Sequence, residues 1–193
     1  QFTYAERATD WRANNNIAES IFQQLRFEHY PEPSWLVSSA GTGGTMATLG
    51  RYVRYRQHCT KVFCADTECS VFYDYYCNGD ASQTWHCGSR IEGIGRPRVE
   101  PSFLPSVIDA MAKVPDALSL AAMHYLAAKL GRRVGGSSGT NLVGALLVGQ
   151  DMLAQQQRGS IVAILCDGGE RYSATYYDDV WLKAQGYELE PLI

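Results

Sequence analysis

Three glycine-rich turns gather the residues of this chain best suited to holding a small ligand and acting on it. The first is Ala40-Gly41-Thr42-Gly43-Gly44-Thr45. Glycines let the backbone take positive φ and approach a ligand closely, and the helix that follows exposes its first N–H groups. This geometry suits a phosphate, with the Thr42 and Thr45 hydroxyls as further donors; a tight strand-to-helix turn without a ligand is the plainer reading. The second turn, Gly135-Gly136-Ser137-Ser138-Gly139, spells the GxSxG of a nucleophile elbow. In that fold the triad histidine follows the serine, whereas His29, His58, His86 and His124 all precede Ser137. A serine hydrolase fails on chain order. Ser137 is left as a hydroxyl at the mouth of a helix, facing a ligand or capping the helix. The third turn is Cys166-Asp167-Gly168-Gly169-Glu170-Arg171-Tyr172. Asp167 leaves an apolar strand, either to face the ligand or to serve as a turn carboxylate, and Glu170 and Arg171 read as structural ion-pair formers.

Two familiar phosphate chemistries are excluded by the first turn. A P-loop needs Lys-Ser/Thr after its second glycine, and no lysine follows here. A dinucleotide fingerprint needs GxGxxG; Gly41 and Gly43 fit, but Met46 stands at the third position. Asp66, at the next strand end, imitates the ribose-binding acid only weakly without that glycine.

The elements around the turns alternate between strand and helix patterns. Ser34–Ser39, Lys61–Ala65 and Gly159–Cys166 read as strands, the last of them buried. Helices are predicted over Thr45 to about Gln57, over the aromatic run Val71–Tyr76, and from Asp178 to about Gln185. Two more are predicted: one capped by Asp116 and closed by Gly131, the other capped by Thr140 with Leu142, Leu146 and Leu153 on one face. Residues 80–106, rich in Gly, Pro and Ser, read as a long loop of functional type. Such alternation implies a mostly parallel twisted sheet with helices on both faces, an α/β fold. Ligands in such sheets bind beyond the carboxyl ends of the strands, where all three turns fall.

Composition narrows the class. With 193 residues, 46% hydrophobic and 19% charged, the chain is an ordinary globular one, not a disordered tail or collagen-like fibre. A net charge of −3 without a basic stripe argues against nucleic acid as the partner. No apolar run approaches the roughly 20 residues that span a bilayer. Cys59, Cys64 and Cys69 are five residues apart, matching neither zinc CxxC pairs nor common iron–sulfur spacings, so no metal is expected. The six cysteines read as buried or bystander thiols, Cys64 and Cys166 lying in apolar runs, and the cytoplasm is the favoured compartment.

Taken together, the motifs resemble the fold-type II pyridoxal-phosphate enzymes of the cysteine synthase and cystathionine β-synthase group, tryptophan synthase β-like in fold. The resemblance runs through Gln1-Phe2, Gly41-Thr42-Gly43-Gly44-Thr45, Glu92-Gly93-Ile94-Gly95, Gly136-Ser137-Ser138-Gly139 and Asp167-Gly168-Gly169-Glu170-Arg171-Tyr172. It implies pyridoxal 5′-phosphate as cofactor, held by Gly41, Thr42, Gly43, Gly44 and Thr45 at its phosphate, by Ser137 at its pyridine nitrogen, and by Asp167. It places Gln1, Glu92 and Gly93 at an amino-acid substrate. Gln1–Ser20, the aromatic run and the insertion from Gly95 to Leu104 look most like the bacterial L-cysteine desulfhydrase branch, a lyase releasing sulfide, pyruvate and ammonia. The alternatives are a cysteine or cystathionine synthase running β-replacement, and a non-catalytic phosphate-binding regulatory domain.

One residue the family needs has no counterpart. Lys61 opens a strand, Lys113 and Lys129 read as lying around a helix, and Lys183 falls in the last helix, so none is expected beside the glycines. The family's Schiff-base lysine and its asparagine-containing substrate loop precede the Gln-Phe dipeptide. Residues 1–193 are therefore expected to be the C-terminal portion of a longer protein, mainly its large cofactor-binding domain, with the catalytic lysine upstream of Gln1. The resemblance also implies a homodimer.

Overall fold

The computed structural model describes residues 16–189. Its sheet has four strands, β1 (Trp35–Ser38), β2 (Lys61–Thr67), β3 (Ala110–Val114) and β4 (Ile161–Ala163), in the order β3-β2-β1-β4. All neighbours are parallel, with Trp35 opposite both Lys61 and Ile161. Successive residues of a strand point to opposite faces. Leu36, Val62 and Cys64 therefore pack against helices α1 (Ile17–Leu25), α2 (Gly44–Arg56) and α3 (Phe72–Asn78), through Ala18, Met46, Leu49, Val53 and Phe72. Val37, Phe63 and Ala65 face the other way, onto α5 (Gly136–Ala154), through Val148 and Met152. Gly144 sets the closeness of that second layer, because a Cβ on it would lie 2.9 Å from the Ala65 side chain. The chain is thus α/β with helices on both faces of a parallel sheet. Two helices complete it: α4 (Asp116–Leu130), which packs along α5, and α6 (Asp179–Ala184), capped by Asp178.

Several sequence expectations change. Residues 110–114, not assigned to a strand from the sequence, form β3, so Lys113 lies in a strand rather than around a helix. There it ion-pairs with Asp74 at 2.9 Å and covers the Trp85 ring. Helix α1 was likewise not anticipated. Asp116 is the first residue of α4, after Pro115, and does not cap it. Thr140 is also interior: α5 begins one turn earlier, at Gly136, and the Thr140 hydroxyl donates to Ser119 Oγ on α4 at 2.8 Å. The face of α5 bearing Leu146 and Leu153 points outward, with these two 62% and 80% exposed. The strand predicted over 159–166 shrinks to three half-buried residues, because among the described residues it is an edge strand paired only with β1, and Cys166 lies exposed beyond it. Among the described residues, no helix is long and apolar enough to cross a membrane, and no three His, Cys, Asp or Glu form a group that could hold a metal ion.

Asp66, at the end of β2, is 1% exposed and accepts a hydrogen bond from the Tyr73 amide at 3.0 Å, fixing the start of α3. It does not line the cavity described below, so it does not act as a ribose-binding acid. Burial pushes its carboxyl from 3.8 up to about 6. Below both values the group is protonated whether the chain is folded or not. Between them the folded state binds the extra proton, so stability falls as pH rises from about 4 to 6. A shift of this size corresponds to about 3 kcal/mol. Asp66→Asn keeps the acceptor for Tyr73 and should flatten this part of the profile, measured by urea denaturation of the full-length protein at stepped pH. An unchanged profile would remove Asp66 from this role.

Candidate functional site

The carboxyl ends of β1 and β4 and the N-termini of α2 and α5 meet around a cavity of about 540 Å3. Its first wall is the turn after β1. Gly43 sits at φ +89 and caps α2, and the Ser102 hydroxyl closes the turn by donating to the Thr42 carbonyl. Gly41 has no room for a side chain, since a Cβ there would lie 2.2 Å from the Gly93 carbonyl oxygen. The segment carrying Glu92 and Gly93 therefore rests directly on the turn, held by the Gly95 amide donating to the Ala40 carbonyl at 2.9 Å.

The opposite wall joins the second and third turns. The Gly135 amide donates to the Asp167 carbonyl, and the Cys166 amide to Ser138 Oγ, both at 3.0 Å. Asn141 Nδ2 reaches the Ile164 carbonyl at 2.8 Å. These bonds tie the first two turns of α5 to the chain leaving β4, which brings Ser137 and Asp167 to one place. The Tyr172 hydroxyl donates to Asp167 Oδ2 at 2.7 Å, and burial first, then this bond, raises the phenol's pKa.

At the mouth, Glu92 and Arg171 form an ion pair, both side chains more than half exposed. Pairs so wet contribute little to stability, at most about 1 kcal/mol; this one orients Glu92. The Glu92 amide also donates to the Tyr176 hydroxyl at 2.9 Å, which in turn donates to the Arg90 carbonyl at 2.7 Å. Arg171 thus pairs with Glu92, across the cavity, and not with its neighbour Glu170.

Of the residues singled out from sequence, Gly41, Thr42, Thr45, Glu92, Gly93, Ser137 and Asp167 all line the cavity. Gly43 and Gly44 shape the turn behind that wall, and Gln1 lies outside the described residues. The sequence reading missed Ser38 and Ser39, which a strand-end rule could have found, and Arg96, Cys166 and Tyr172. Nothing local marks Arg96, whose place depends on how the long loop folds back. None of the chain's four lysines lines the cavity.

Two helix N-termini, several hydroxyls and two guanidiniums, Arg96 and the Glu92-paired Arg171, converge here, and each favours an anion. Ser137 supplies a neutral hydroxyl on the far side, from the first turn of α5 and 5% exposed. The arrangement suits a ligand with an anionic end and a polar, uncharged ring atom some way from it.

Comparison with known proteins agrees. A family model described as pyridoxal-phosphate dependent enzyme matches residues 3–167. The chain is 56% identical over 188 residues to L-cysteine desulfhydrase Cds1 of Mycobacterium tuberculosis, covering 97% of this chain and 51% of that protein. It is 30% identical to the cystathionine beta-synthase of Apis mellifera, covering 82% of this chain and 30% of the other. It is 28% identical to that of Mus musculus, covering 94% and 35%. The chain thus spans about half the length of the first of these relatives and about a third of the other two.

Proposed function

Since the chain belongs to the pyridoxal-phosphate dependent enzyme family, we propose that it forms the larger part of the cofactor site of a lyase that converts L-cysteine to hydrogen sulfide, pyruvate and ammonia. Its likeness to the desulfhydrase over nearly its whole length carries the choice of reaction.

The residues fit the cofactor. Gly41 and Gly43 leave no space for a Cβ, so the cradle is bare backbone at a helix N-terminus, and the donors around it are hydroxyls and Arg96. In this reading Gly41, Thr42, Gly43, Gly44 and Thr45 hold the 5′-phosphate, and Ser137 meets the pyridine nitrogen. Bound, the cofactor supplies an electron sink at the substrate's α-carbon, which permits loss of the α-proton and expulsion of the β-sulfur.

This chain's own residues bind and orient. Asp167, held by Tyr172, shapes the wall beside Ser137. The neutral Ser137 hydroxyl there, in place of a carboxylate, would not hold a proton on the pyridine nitrogen, which would limit the sink and favour β-elimination. Glu92, oriented by Arg171, stands where it can hold a proton at the departing thiol or an entering water, with Gly93 beside it. Gln1 is assigned to the substrate as well. The lysine that carries the cofactor comes from residues beyond this sequence. A homodimer in the cytoplasm completes the reading, with solution mass as the check on assembly.

The deciding measurement is product release by the full-length protein from L-cysteine alone. Sulfide and pyruvate in equal amounts are expected; negligible pyruvate throughout, with sulfide released only once a second nucleophile is added, would replace the lyase with a β-replacing synthase. Protein that takes up no pyridoxal 5′-phosphate, judged by visible absorbance, would leave a phosphate-binding domain instead. Ser137→Ala removes one hydrogen bond, worth about 1 kcal/mol, so cofactor affinity should fall about fivefold. Unchanged affinity would take Ser137 off the pyridine nitrogen.

A further inference from the structure

Cys69 and Cys87 are 18 residues apart in the chain, yet the Cys87 thiol donates to Cys69 Sγ at 2.7 Å. Both are free thiols, Cys87 exposed and Cys69 partly buried. Covalent bonding requires S–S of about 2.05 Å, so the two sulfurs need to close by about 0.6 Å. No third His, Cys, Asp or Glu joins them in a metal-holding group among the described residues.

Their position gives the pair a consequence. Cys69 lies in the turn from β2 to α3, and that turn grips the long loop at Arg96. The Arg96 amide donates to Ser70 Oγ at 3.3 Å, and the Val71 amide to the Arg96 carbonyl at 3.0 Å. Cys87 lies just before the segment 89–96, which supplies Glu92, Gly93 and Arg96 to the cavity. The segment is therefore anchored to one turn at both ends, by hydrogen bonds at Arg96 and by a thiol contact at Cys87.

We propose that Cys69 and Cys87 are a redox pair whose disulfide locks the segment 89–96 over the cavity. The oxidant is a small-molecule disulfide, and the reaction is thiol–disulfide exchange. The Cys87 thiolate, the accessible one, attacks a sulfur of the small disulfide, and one small thiol leaves with a proton. The Cys69 thiolate then attacks the Cys87 sulfur of the mixed disulfide, and the second small thiol leaves. The protein gives up two thiol protons and two electrons, and the small disulfide becomes two thiols. Cross-linking restricts how far the segment can open, so the closed arrangement gains population. The bond and its effect on the segment stand apart from the cofactor assignment.

The test uses full-length protein treated with cystine or oxidised glutathione and then digested. Between Lys61 and Arg90 there is no other Lys or Arg, so trypsin releases both cysteines in one peptide. That peptide should lose two hydrogens in mass, and further cleavage should assign the bond to Cys69 and Cys87. Cys69→Ser should stop at the mixed disulfide on Cys87, which then has no partner to resolve it. Limited trypsin cleavage after Arg90 in the native protein should slow by about tenfold on oxidation and recover with a reductant, because cleavage tracks the open population. Cys77→Ser, on the exposed face of α3 in the same peptide, should oxidise like the wild type. Alkylation of both thiols after oxidant, a bond formed through Cys77, or unchanged cleavage at Arg90 with the bond in place would each overturn the proposal.

Discussion

Gly43→Ala in the full-length protein is expected to lower affinity for pyridoxal 5′-phosphate by about 100-fold. Two effects act together at this position. Its φ of +89 is a conformation in which a Cβ costs about 1–2 kcal/mol. The added Cβ would also lie 2.6 Å from Phe103 Cα and 2.7 Å from the Ser102 carbonyl oxygen. Both neighbours are backbone, and Phe103 is stacked on Phe72 with ring centroids 4.2 Å apart, so neither yields cheaply. Overpacking of this kind costs about 1–3 kcal/mol. The strain is relieved by moving the turn, and the turn carries the N–H groups proposed to meet the ligand. A loss near 3 kcal/mol corresponds to about 100-fold in affinity. Spectroscopic titration with the cofactor is the readout. Should the variant not fold, Thr45→Ala removes a hydroxyl and a methyl group from the cavity wall and, through the lost hydrogen bond, should weaken binding about fivefold. Full affinity in both variants would move the phosphate away from this turn.

How far the sequence foretold the site follows from how local each determinant is. The three glycine turns were legible because a glycine that shapes a turn acts within a few residues of itself. Their convergence was legible too, since parallel strands place all their carboxyl ends at one edge. β3 was not legible. Its residues Ala110-Met-Ala-Lys-Val114 carry little β-propensity, and what makes them a strand is five residues of pairing with β2. The same reason explains Arg96, brought to the cavity by Ser70 and Val71 from a different element. Cys69 and Cys87 looked like bystanders because no spacing rule joins residues across an irregular loop. β4 differs for the opposite reason: its apolar run promised a buried strand, but it lies at the edge of the described sheet and its residues are only partly buried.

The second large effect lies in the helix that delivers Ser137. Gly139→Ala is expected to destabilise the full-length protein by about 3 kcal/mol, even though alanine is the better helix former by about 1 kcal/mol. A Cβ at Gly139 would lie 1.9 Å from the Ser119 carbonyl oxygen and 2.7 Å from the Met123 amide nitrogen, both backbone of α4. The two helices would have to separate, breaking the Thr140–Ser119 hydroxyl contact and loosening fully buried Met123. At about 1–2 °C per kcal/mol for a protein about twice the size of this chain, Tm should fall by about 5 °C. Gly149→Ala, ten residues along α5, is the control: its Cβ would meet only Ile161 Cδ1, at an ordinary 3.6 Å. There the propensity gain is unopposed and Tm should rise by about 1 °C. Opposite signs at two glycines of one helix would identify Gly139 as the close-approach point that seats α5 on α4, and hence Ser137 in the cavity. A rise at both would mean that the helices meet elsewhere.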